Sequence, residues 1–172
     1  MVRRPRRSTL FPCPTLFRSS LDKEVLPQLQ LLADRHSRRY AGRRALQLVA
    51  LRHAQLEEWQ EAADRFLELA ERSDGYLAAL ALSNAAVAYE EMGDRDAATS
   101  NYTKVLSRFP DEAVVTPRAL FSLARLDEEP GDKAKASDFY ARLEEKYPGR
   151  LWSVQARNRL VYLRASGALE GN

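Results

Sequence analysis

The sequence predicts an all-α fold: a solenoid of antiparallel helix pairs, with about three repeats and flanking helices. Two observations carry this and a third removes the alternatives. Residues 79–110, ALALSNAAVAYEEMGDRDAATSNYTKVLSRFP, read as two helices about a tight turn. Gly93 can take positive φ and end the first helix. Asp94 can cap the second, and Pro110 cannot continue it. Small Ala85, Ala86 and Ala98 alternate with Leu82, Tyr89, Tyr102 and Leu106 at helical spacing, which lets two helices approach closely. The unit then recurs. Its columns are Leu46/Leu82/Leu120, Val49/Ala85/Leu123, Ala50/Ala86/Ala124, Ala62/Ala98/Ala136, Phe66/Tyr102/Tyr140 and Leu69/Val105/Leu143. Ala62 and Ala98 stand 36 residues apart, Ala98 and Ala136 38. A near-constant period of this size means one helix pair per repeat, each burying its apolar faces against the next. No segment alternates as a strand does, and none has the ~20 apolar residues of a membrane span.

In chain order, residues 21–38 form a first helix with Val25, Leu26, Leu29, Leu32 and Ala33 as its stripe, the second half of a partial repeat. Pro27 fits if the helix effectively begins there. Residues 40–72 are repeat one, with Trp59 opening its second helix. Ser73-Asp74-Gly75 breaks the chain, and residues 76–110 are repeat two. The link DEAVVTP leads to repeat three, residues 116–148, with Pro117 at a first helical position and Gly131-Asp132 at its turn. Residues 151–165 form a capping helix: Trp152, Ala156, Leu160 and Leu163 face the stack, and Arg157, Arg159 and Arg164 lie elsewhere. Residues 167–172 are a tail.

The pattern of a small residue in the first helix, a Gly-Asp turn, Ala-x-x-x-aromatic in the second helix and a closing Pro resembles the tetratricopeptide repeat. The resemblance covers roughly residues 40–148. It implies a right-handed solenoid whose first helices line a concave groove, and a protein that binds proteins and does no chemistry. Groove positions would be Arg44, Gln47 and Leu51 in repeat one, Ser83, Asn84 and Val87 in repeat two, and Arg118, Phe121 and Arg125 in repeat three. Arg guanidinia suit carboxylates or carbonyls, Asn84 suits an extended peptide's amides, and Leu51, Val87 and Phe121 suit apolar side chains. Family modules that grip a carboxyl terminus use a Lys/Asn set; Asn84 and Arg118 fall in suitable slots, whereas Gln47 and Leu51 depart from it. Residues 109–126 and 146–163 are also similar to bacterial envelope proteins of this family, such as the ancillary translocon subunit. That likeness implies a periplasm-facing setting and a role in assembly or translocation.

Residues 1–19, MVRRPRRSTLFPCPTLFRS, resemble the translation of a common sequencing adapter, MIRRPPRSTLFPYTTLFRS, with differences at Val2, Arg6, Cys13 and Pro14. They are expected to be disordered and to lie outside the natural protein. The chain carries 27 Lys and Arg against 24 Asp and Glu, a net +3. Five of those bases (Arg3, Arg4, Arg6, Arg7, Arg18) and no acid lie in this stretch, so the remainder has 27 − 5 = 22 bases against 24 acids, a net −2. The basic balance that would point to nucleic acid thus disappears. Cys13 is the single cysteine, which leaves no disulfide or thiolate metal site beyond residue 19.

No catalytic constellation stands out. The seven glycines are assigned to turns and the tail, and there is no phosphate loop, GxSxG or HExxH. His36 and His53 lack partner ligands in the sequence and are read as structural. The acids at 57–58, 90–91, 127–129 and 144–145 read as solvated charge near helix ends. The expected function is a scaffold that binds a peptide or protein segment, with no cofactor, no metal and no nucleic acid. A homo-oligomerising module and a fragment of a larger regulatory protein are the alternatives.

Overall fold

Turn chemistry sets where the helices stop. At the centre of the chain Gly93 sits in the left-handed region at φ 80°. Its N–H donates to the Glu90 carbonyl at 3.0 Å, and the Asp94 N–H donates to that of Tyr89 at 2.9 Å. Asp94 Oδ1 then accepts from the Ala97 N–H at 2.9 Å, capping the next helix. Gly and Asp do here what the sequence assigns them.

The structure, a computed structural model, describes residues 22–128 and 133–166. Among these, every regular element is an α-helix: α1 (Asp22–Arg35), α2 (Tyr40–Gln55), α3 (Trp59–Glu71), α4 (Gly75–Met92), α5 (Arg95–Arg108), α6 (Thr116–Glu128), α7 (Lys133–Lys146) and α8 (Leu151–Ala165). Each helix packs chiefly on the one before and the one after, and α6 also touches α8. The architecture is an all-α solenoid. The expectations for residues 1–19, for the Gly131-Asp132 turn and for residues 167–172 concern positions outside the described residues.

The core runs along the stack. Phe66 of α3 is buried among Ala50 and Ala54 of α2 and Ala85 and Ala88 of α4. Tyr102 and Val105 of α5 join Leu82 and Ala86 of α4 and Ala119 and Leu123 of α6. Tyr140 and Leu143 of α7 meet Leu120 and Ala124 of α6 and Ala156, Leu160 and Leu163 of α8. Every residue of the recurring columns is buried, and each repeat is completed by the next. Ala62, Ala98 and Ala136 have no exposed surface, as close helix approach requires.

Three local readings change. Gly42 is not at a turn; it lies inside α2, where a Cβ would stand 2.1 Å from the His36 carbonyl oxygen. That close crossing of α2 by the α1–α2 loop demands glycine. Pro27 lies well within α1 instead of opening it, on an exposed side where water can take up the freed carbonyl. Thr116, not Pro117, is the first residue of α6, and its Oγ1 donates to the Phe109 carbonyl at 2.7 Å. The α5–α6 link is further held by Lys146 Nζ and Tyr147 Oη, which donate to the Pro110 carbonyl at 2.9 and 3.2 Å.

Candidate protein-binding face

The nine sequence-predicted residues lie on the first helices α2, α4 and α6, as the repeat pattern requires. Their environments differ. Arg44 is exposed, and its guanidinium donates to Gln47 Oε1 at 2.7 Å. Leu51 and Val87 are half-buried, each resting on a core cluster while keeping an open side. Arg118 is half-buried. Phe121 is half-buried with its ring 5.5 Å from that of Tyr140 and 5.3 Å from that of Trp152. Phe121 is thus part of the α6–α7–α8 joint as well as of the face.

Ser83 departs from the expectation: it is 0% exposed. Asn84 is also buried, at 8% exposure. The cause is the position of α4, which is apolar on nearly every side and covered by α3 and α5 together. The column of Ser83 is half-buried on α2 and α6, at Gln47 and Phe121, and fully enclosed on the central helix.

Arg125 bears on how the face is held. Its guanidinium is paired with the Glu90 carboxylate of the preceding repeat. The same carboxylate accepts the Tyr102 hydroxyl at 2.7 Å. One repeat further on the arrangement returns. Glu128 accepts the Tyr140 hydroxyl at 3.1 Å and is paired with Arg159 of α8. Each tie joins the end of a first helix, the second helix of its own repeat and the first helix of the next. Both carboxylates are largely buried, so they are not the solvated charges that the acidic runs suggested. The signal was present in the sequence: each Glu precedes its Tyr by 12 residues. The hydroxyls sit in low dielectric. Burial, then the Glu90 charge, raises the Tyr102 pKa far above its ordinary value. Burial pushes that of Tyr140 up to about 12, with Arg125 pulling the other way.

His53 holds no metal partner set; its Nδ1 lies 2.6 Å from Glu58 Oε2 across the α2–α3 turn. Among the described residues no group of three His, Cys, Asp or Glu could hold a metal ion. Among them, too, no helix is long and apolar enough to cross a membrane.

Comparison with known families fits this geometry. Residues 80–112 and 118–150 match the family described as tetratricopeptide repeat, the first stretch spanning α4–α5 and the second α6–α7. Two stretches of the chain therefore match the tetratricopeptide repeat. Repeats of this family usually mediate binding to protein partners and are generally not catalytic. A "TPR repeat-containing protein" from Treponema pallidum (strain Nichols) is 30% identical over 112 residues, which is 64% of this chain and 46% of that protein. The match thus spans about half the length of this curated relative.

Proposed function

We propose that the face built by α2, α4 and α6 binds an extended segment of a partner protein. The observation that carries this reading is the mixture on that face. Leu51 and Val87 each keep an accessible apolar side, and Arg44, Arg118 and Arg125 supply guanidinium groups on the same first helices. Apolar side chains give an extended peptide area to bury, and the cations take its carboxylates or carbonyls. Arg125 is held by Glu90, so its position on the face is fixed before a ligand arrives, which lowers the ordering cost of binding. The likeness of residues 109–126 and 146–163 to envelope proteins of the repeat family is what favours a periplasm-facing setting.

The test is selection of binders from a random peptide library on the intact chain, followed by titration calorimetry. Arg44→Glu with Arg118→Glu should lower affinity at least about tenfold, and Leu51→Asp should do likewise. The helical circular dichroism signal should be unchanged, because all three positions keep exposed surface. Selected peptides that bind these variants as well as the parent chain would rule out this face.

A further inference from the structure

α8 has two faces of different kinds. Ser153, Ala156, Leu160 and Leu163 are buried against the stack. The opposite side is open. Leu151 is 66% exposed, Val154 43%, Val161 60% and Tyr162 58%. These residues follow a heptad. Leu151, Val154, Asn158, Val161 and Ala165 occupy successive a and d positions, and all five are exposed. Gln155 and Tyr162 take the e positions. Arg157 and Arg164 take the g positions, Arg150 is the extended N-cap residue just ahead of them, and all three are exposed. From residue 150 to 165 there is no Asp or Glu. The helix therefore shows an apolar seam of two heptads, about 22 Å long, with one edge wholly basic. Arg157 reaches back to Glu144 at 2.5 Å, and neither Arg150 nor Arg164 has an acidic neighbour along the helix. α8 packs on α7 and α6, and no described helix lies on the seam.

We infer that this seam docks an amphipathic helix of a partner protein that carries Asp or Glu along its edge. Charge chooses the occupant. In an antiparallel pair of two copies, g positions face g positions, which would set Arg against Arg. In a parallel pair, g faces the e position of the following heptad, so Arg157 would meet Tyr162, with no acid for it. A helix with acids at those positions pairs with the row and buries Leu151, Val154 and Val161 as well. Asn158 at a central a position favours a partner with a polar residue opposite, which fixes register. This seam lies on α8, the last of the described helices, and is separate from the face of α2, α4 and α6.

The test uses the full chain and two synthetic three-heptad peptides, both with Val at a, Leu at d and Asn at the central a. One carries Glu at e and g, the other Lys. By fluorescence anisotropy the Glu peptide should bind at least about tenfold more tightly than the Lys peptide, and the difference should shrink in high salt. Val154→Asp with Val161→Asp should remove binding, with the helical signal kept because both side chains are exposed. Arg150→Glu with Arg164→Glu should reverse the preference toward the Lys peptide, and it decides the matter should the first pair fail to fold. Equal binding of both peptides, binding of neither, or binding that survives Val154→Asp with Val161→Asp would overturn the inference. So would sedimentation that shows a dimer dissolved by that variant, which would make a second copy the occupant. Co-pelleting with phosphatidylglycerol vesicles, lost in the same variant, would assign the seam to a lipid surface instead.

Discussion

Repeat one and repeat two solve the same joint with different chemistry. In repeat two Tyr102 reaches Glu90, and Glu90 reaches Arg125 of the next repeat. In repeat one, at the same 12-residue spacing, Ala54 stands where Glu90 does and Phe66 where Tyr102 does, and both are buried together. Val87 takes the place of Arg125. The acid is present where the ring carries a hydroxyl and absent where it does not. The turn differs as well: Gly93 corresponds to Glu57, which is held at φ 61°. Repeat one also lies outside the two matched segments. The contrast teaches that ring volume at this column makes the solenoid, and that the polar tie is an addition. The tie sets an angle and a register; removing the whole set, as in repeat one, leaves a joint that still packs.

The most severe way to break the comparison is to remove the ring itself. Phe66→Ala and Tyr102→Ala should each cost about 3–5 kcal/mol, because each leaves a cavity between three helices. Chemical denaturation of the two variants measures this. A much smaller loss at Phe66 would mean that the apolar joint is the slacker one. Next in size is a graft. Phe66→Tyr alone should cost about 1–3 kcal/mol, since the new hydroxyl is buried opposite Ala54 with no acceptor. Adding Ala54→Glu should recover part of that loss, and a double-mutant cycle should give a favourable coupling of about 1 kcal/mol or more. Strict additivity would show that the tie needs its arginine.

The tyrosines also set an alkaline limit. A tyrosine whose pKa is raised on folding contributes fully below its unfolded value, near 10, and the contribution is lost as pH climbs through the folded value. For Tyr140 that window runs from about 10 to about 12. The melting temperature should therefore fall between pH 9 and 11.5, and Tyr140→Phe should flatten part of the fall. An unchanged slope in that variant would remove Tyr140 as a cause. Phe66 adds nothing to this dependence. The smallest expected effect is a gain. Glu57→Gly should relieve left-handed strain and stabilise the chain by about 0.5–1 kcal/mol, read as a higher melting temperature.

Much of this was legible beforehand. The helix order followed from period, from Gly93 and Asp94, and from the Ala columns, because those features are local and steric. α8 was read with the bounds the structure gives it. The groove residues were less legible. Periodicity says which way a residue should point on its own helix, but not how many neighbours that helix has; hence Ser83, a groove position by period, is enclosed. Glu90 and Glu128 were misread because an acid near a helix end looks solvated until its tyrosine, twelve residues on, folds over it. Gly42 escaped because its constraint comes from the His36 carbonyl on another element. The polar outer face expected of α8 was half the truth, since its arginines border an apolar seam.

The Pro110 carbonyl, gripped by both Lys146 and Tyr147, has a practical consequence. A connector fastened in this way is a strut, so the second and third helix pairs should swing together as one lever. Ala113 and Val114 stand proud of that strut in open solvent. A dye placed there would ride on the lever without loosening it, and would report how far the whole spring opens when something takes hold of it.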